Sequence, residues 1–95
     1  MQFEWDENKY KTNISKHSID FRDANEFFKN NPVIFQDIRQ KYEEKRYIAM
    51  GMLKSRLIVV VFTIRHSIIR IISMRKANER ERRHYEQIKD KLEKN

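Results

Sequence analysis

Cysteine is absent from this 95-residue chain, and glycine and proline occur once each, as Gly51 and Pro32. Without cysteine there is no disulfide framework and no thiolate metal site. With so little glycine and proline, the turns must be built by Asn, Asp, Ser, His and Lys. The three histidines, His17, His66 and His84, stand far apart, and no HxxxH or HExxH spacing points to zinc. Long apolar runs are also missing. The longest, Leu57 to Phe62, has six residues, where a membrane span needs about 20. No basic-then-apolar leader opens the chain. There is no P-loop, dinucleotide fingerprint, nucleophile elbow or metal-ligand cluster. These absences predict one domain over residues 1–95, soluble and cytoplasmic, with no cofactor, no bound metal and no membrane partner.

Charge, by contrast, is abundant. Charged residues make up 37% of the chain and the net charge is +7. Residues 1–37 carry five basic and seven acidic side chains, whereas residues 38–95 carry sixteen basic and seven acidic. An imbalance of this kind suits a polyanion surface or a dock for an acidic protein segment. A solvated face kept charged for solubility is the plainer reading.

The hydrophobic pattern gives the element order. Gln2–Trp5 reads as a short strand ended by Asp6, a good N-cap for a helix over 7–16. Asp20 caps a second helix whose stripe is Phe21, Ala24, Phe27 and Phe28, with Ile19 and Ala24 as a hydrophobic staple. Asn30-Asn31-Pro32 stops it. Strands follow at Val33–Phe35, Lys45–Met52, Leu57–Ile64 and Ile68–Met74, the third apolar on both faces and therefore central. In the last strand, plain alternation puts Arg70 on one face and Ser73 and Arg75 on the other. Short joins at 53–55 and 65–67 predict an antiparallel meander. Gly51, inside a strand, marks a bulge or a close backbone approach. A final helix covers 77–92, with Ala77, Tyr85, Ile88 and Leu92 on one stripe and Glu81 among them. The fold class is α+β: a curved antiparallel sheet with two N-terminal helices and one C-terminal helix, all on one face.

The strongest local feature is the series Arg65, Arg70, Arg75, Lys76, Arg80, Arg82 and Arg83, opposed only by Glu79 and Glu81. Guanidinium groups bind phosphate through a planar fork, and several at strand ends could hold an RNA backbone. Against that, Glu79–Arg83 and Arg82–Glu86 are i, i+4 pairs that could simply support the helix. A carboxylate on an apolar stripe, such as Glu81, is either a general base or, by preference, one half of a structural ion pair. His17 is a candidate acid–base group, though capping the first helix's C-terminus is the simpler role. His66 and His84 read as solvated, and Tyr85, Trp5 and the phenylalanines as core. This inventory suits RNA cleavage by the substrate's own 2′-hydroxyl. The protein then has only to position it, shuttle a proton and stabilise a pentacoordinate phosphate.

Several segments together resemble one family. Phe3-Glu4-Trp5-Asp6, Asn13, Lys16-His17, Phe21 and Ala24 are similar to the opening of the BrnT toxins. So are Arg46–Gly51, Leu57–Arg65 and Arg70–Ala77, with Glu81-Arg82-Arg83 and Tyr85. The resemblance implies a small ribonuclease toxin of the RelE-like class. Its partner would be an antitoxin with a ribbon-helix-helix domain, and operator DNA would be bound only through that antitoxin. The family usually follows its histidine with glycine, which permits φ > 0 at a helix C-cap; Ser18 stands there in this chain.

The sequence reading is thus a metal-independent endoribonuclease that inhibits translation. Arg65, Arg75 and Arg80 hold the scissile phosphate, and Glu81 or His17 transfers a proton or orients. Arg46, Arg70, Lys76 and Arg83 bind the RNA. Three alternatives stay open: binding nucleic acid without cleavage, inhibition of a protein target, and an inert relative whose basic face binds only the antitoxin.

Overall fold

The computed structural model describes residues 1–93. Its elements run β1 (Phe3–Trp5), α1 (Glu7–His17), a 3-10 turn (Phe21–Asp23), α2 (Ala24–Lys29), β2 (Val33–Asp37), β3 (Arg46–Leu53), β4 (Arg56–Arg65), β5 (Ile68–Lys76) and α3 (Glu79–Glu93). This is the α+β order read from the pattern. The caps explain the boundaries. The Asp6 carboxylate accepts from the Lys9 backbone N–H at 3.0 Å and starts α1. Asp20 accepts from the Arg22 backbone N–H at 2.8 Å and starts the 3-10 turn that leads into α2. Ser18 ends α1 in the left-handed region, φ 57°, its N–H donating to the Ile14 carbonyl. The turn that glycine would favour is therefore made here by serine.

The five strands form one sheet in the order β1-β5-β4-β3-β2. The β3-β4-β5 meander is antiparallel as anticipated, and β2 adds antiparallel to β3. The purely antiparallel expectation is corrected at one edge, where β1 runs parallel to β5, pairing Glu4 with Arg70. Three residues carry no signal of their partner; α1 and α2 carry the chain from β1 across the sheet to β2 at the opposite edge, and the meander then returns to lay β5 beside β1. Both hairpins turn through two residues with positive φ, Lys54-Ser55 and His66-Ser67. These are the mirror-image turns that match strand twist, made without the usual glycine.

The main core lies between one sheet face and α1, the 3-10 turn and α2. Phe21, Phe27, Ala49, Ile58, Val60, Phe62, Ile71 and Met74 are buried there, with Trp5 and Tyr10 packed against them. Complete burial of Phe21 and Phe27 contributes about 1.5–3 kcal/mol each. Ile19 and Ala24 are both buried, as a staple requires. Asn13 ties α1 to the sheet: its amide donates to the Ile19 and Met74 carbonyls and accepts from the Met74 N–H. Gly51 marks a close approach, since a Cβ there would lie 3.0 Å from Pro32 Cβ.

Two further expectations are corrected. Helix α3 does not join the other helices. It lies over the opposite sheet face, where His84 meets Phe35 edge-on at 6.0 Å and Glu81 meets Arg75. That face carries its own buried residues, Met50, Leu57 and Val59, so the central strand is covered on both sides. None of α3's described residues is fully buried, and Leu92 is 61% exposed. The second correction concerns β5. Val61 pairs with Ser73, but Phe62 pairs with Ile71, so Ile72 is an extra residue in a β-bulge. The bulge resets the alternation. Arg70 and Arg75, which plain alternation puts on opposite faces, therefore share the face opposite the main core.

Candidate functional site

Arg75 of β5 meets Arg80 and Arg83 of α3 where that helix crosses the sheet. A groove of about 960 Å³ runs between α3 and the β2-β3 face, floored by Phe35, Ile48 and Met50. Arg39, Arg75, Arg80 and Arg83 reach it, together with His84. Arg75 is held by a bidentate pair, Nη1 to Glu81 Oε1 at 2.7 Å and Nη2 to Oε2 at 2.8 Å. Glu81 is also the reciprocal half of a capping box. Its Oε1 accepts from the Asn78 backbone N–H at 2.9 Å, and Asn78 Oδ1 accepts from the Glu81 N–H at 2.8 Å. The Arg75 guanidinium holds the Glu81 carboxyl below its ordinary range, and the Asn78 N–H acts in the same direction against partial burial. A carboxylate bound this way is a poor proton acceptor and a good brace for Arg75.

The loop after β2 supplies a second carboxylate–arginine unit. Asp37 is 4% exposed. Arg39 donates to it from Nε and Nη2, both at 2.9 Å, and Tyr42 donates from its hydroxyl at 3.0 Å. Hydrogen bonding from Arg39 drives the Asp37 carboxyl well below the usual carboxylate range, against the cost of burial. This unit places Arg39 on the groove and Tyr42 beyond it, where the ring lies under the Arg46 guanidinium at 4.4 Å. Sequence reading missed Asp37, Arg39 and Tyr42. Their only sequence signal is a polar cluster directly after an apolar strand, which reads equally well as a turn.

Beyond Tyr42 a smaller hollow of about 250 Å³ holds Arg46, Arg65 and Arg70, with Thr63 on its floor. Arg65 is paired with Glu44 and Arg70 with Glu4. Arg46 has no ion-pair partner among the described residues.

The residues singled out in the sequence thus fall into three places. Arg75, Arg80, Glu81 and Arg83 share the groove. Arg46, Arg65 and Arg70 share the hollow, so Arg65 is not brought to the same point as Arg75 and Arg80. His17 and Lys76 line a shallow depression with Arg56 on the other side of Arg75. Arg82 is exposed and lines none of the three. Neither Glu79–Arg83 nor Arg82–Glu86 closes to an ion pair among the described residues, so α3 is supported at its start by the capping box instead. His84, read as solvated, is exposed but stands at the groove.

Chemically, the groove offers several forked donors, two of them held by carboxylates (Arg75 by Glu81 and Arg39 by Asp37), beside an imidazole. Such a set can grip a phosphate and move a proton. Among the described residues no three His, Asp or Glu side chains come together as a metal site. Nor is any described helix long and apolar enough to cross a membrane.

No curated protein matches the chain. A family model does, described as the ribonuclease toxin BrnT of type II toxin-antitoxin systems, over residues 5–81. The matched span begins at Trp5, the last residue of β1, and includes the whole meander, Arg75 and Glu81. Arg83 and His84 lie just past its end. On that match, this chain belongs to the BrnT family of type II toxin–antitoxin ribonuclease toxins.

Proposed function

We propose that the chain is a cytoplasmic endoribonuclease that stops translation by cutting RNA without a metal ion, in the groove under α3. The observation that carries this reading is the meeting of Arg75, Arg80 and Arg83 with His84 in one groove, in a chain of the ribonuclease toxin family. Arg75 and Arg80 grip the scissile phosphate and offset the charge that builds on it. Glu81 orients Arg75. His84 inside the groove, or His17 on its outer side, moves the proton of the attacking 2′-hydroxyl. Arg46, Arg65, Arg70, Lys76 and Arg83 bind the rest of the strand. Membership of a toxin–antitoxin family implies an antitoxin. We assign it a ribbon-helix-helix domain that carries operator DNA, and an acidic segment that covers Arg75, Arg80 and Arg83 in the resting cell.

The test is cleavage of RNA by purified protein in excess EDTA, with the products' ends identified. Persistent activity yielding 2′,3′-cyclic phosphates is the expected result. Activity lost to the chelator and restored by Mg²⁺ or Mn²⁺ overturns metal independence. One observation favours a second reading, binding without cleavage: both Glu81 oxygens are already engaged. Tight RNA binding with no product under any condition would select it.

A further inference from the structure

The basic side chains of the sheet face that α3 partly covers spring from two stations, and strand register fixes the separation of their backbone positions. Arg75 is paired with Val59 and Arg70 with Thr63. Val59 and Thr63 are four residues apart on β4, a distance of about 13 Å at the strand rise. Arg46 lies across the sheet beside the Arg70 station, at Asp37 on β2, and shares its hollow. Between the stations the face is partly exposed and largely apolar, formed by Ile48, Val61 and Ile72. Successive phosphates of a nucleic acid are six backbone bonds apart, twice the number separating Cα atoms at 3.8 Å, so an extended strand spaces them roughly 6–7 Å.

Resting on the RNA-cleaving reading above, we propose that single-stranded RNA lies along β4 and β5 with two fixed phosphate stations. One is the reactive station at Arg75 and Arg80. The other is a recognition station at Arg46 and Arg70, two nucleotides away. The apolar strip between them faces the intervening bases. Three features of the hollow support this. Arg46 is unpaired with any described acid, and its guanidinium carbon lies 4.4 Å from the centre of the Tyr42 ring, a contact that positions the group without using its N–H donors. Arg70 is 26% exposed and its Glu4 partner 38%, a pair weak enough for a phosphate to compete. The bulge at Ile72 brings Arg70 to this face at all.

The experiment measures binding, so that it does not depend on cleavage. Fluorescein-labelled 2′-O-methyl oligouridylates of two to eight nucleotides are titrated by anisotropy at several salt concentrations. The wild-type affinity should rise in one step of about tenfold or more as length reaches the second station, near four nucleotides. The salt slope should steepen by roughly 0.7 at the same step. Arg46→Ala should remove the step, while Arg75→Ala should weaken every length alike. A smooth rise with length, or a step that Arg46→Ala leaves intact, overturns the proposal. Should Arg46→Ala fold poorly, the presence or absence of the wild-type step still decides. Cleavage of the unmodified oligonucleotides is scored separately. A clear step with no cleavage removes the ribonuclease mechanism and leaves the two stations standing.

Discussion

Replacing Glu81 by alanine cuts two connections at once, and their sizes can be worked out. The carboxylate caps α3 through the Asn78 N–H and braces Arg75 through both oxygens. Losing the hydrogen bond from the Asn78 N–H costs about 1 kcal/mol, while the Asn78 side chain still caps the helix. Hydrogen bonds between charged groups are worth about 1.5–3 kcal/mol. The Arg75 and Glu81 side chains are 32% and 23% exposed, so solvent screening puts this pair near or below the lower figure. The sum is about 2 kcal/mol, which for a domain of this size lowers Tm by roughly 8–15 °C. Glu81→Gln should lose about half as much, because its amide oxygen can still accept from Asn78. Both variants free Arg75 to leave the groove, and RNA cleavage should slow about tenfold or more. Circular dichroism melts read the first effect and single-turnover cleavage the second. An alanine variant with wild-type Tm and wild-type rate would refute the brace. An unchanged Tm with a slowed rate would show that α3 frays alone, which its lack of buried residues permits.

Other outcomes follow from the same contacts. Arg80→Ala should abolish growth inhibition on induction while leaving the melt unchanged, since Arg80 is exposed and has no ion-pair partner among the described residues; a folded, fully toxic variant would remove Arg80 from the mechanism. Arg75→Ala should also abolish toxicity, with a modest loss of Tm from the Glu81 pair. Asp37 has its folded pKa depressed from the ordinary value of 3.8, chiefly by Arg39. Its contribution is therefore present above pH 3.8 and is lost as pH falls through the lower, folded value. Melts of Asp37→Asn should begin lower than wild type at pH 7 and show a flatter acid limb; parallel limbs would contradict this. Ser18→Gly relieves a left-handed residue costing about 1–2 kcal/mol, offset by about 0.5–1 kcal/mol of unfolded-state freedom. A rise in Tm of a few degrees is expected, and a fall would mean that the serine side chain makes a contact that matters.

The element order was legible because caps and periodicity agree locally. Asp6, Asp20 and Asn30-Asn31-Pro32 act within one turn of themselves, and the apolar run of β4 needs no partner to mark it as central. Relations between distant elements were less legible. The bulge at Ile72 has no glycine or proline to announce it; the only trace was the uneven alternation around Arg70, Ser73 and Arg75. The face on which helix α3 packs is not legible, because an amphipathic stripe states that a face is covered, not which surface covers it. At the candidate site, Arg75 and Glu81 stand out in the sequence as charges on a strand end and an apolar stripe, and Arg80 as one member of the cation series. Arg65 looked equivalent to them by charge alone, yet its position at the far hairpin puts it with Arg46 and Arg70. Asp37, Arg39 and Tyr42 act through a loop whose shape only the fold determines.

The extra residue in β5 has a bearing on how this surface changes. Side-chain direction in a strand is a matter of parity, and Ile72 reverses parity between Arg75 and everything N-terminal to it in β5. Removing one residue there would not delete any arginine. It would turn Arg70 toward Phe62 and Ile71's present neighbours and turn the core residues outward, exchanging a basic surface for an apolar one in a single step. Substitutions can weaken the hollow by degrees, whereas a change of length in β5 can only keep it or destroy it. The spacing between Arg70 and Arg75 is therefore expected to hold among relatives that share the hollow, even where the residues between them vary.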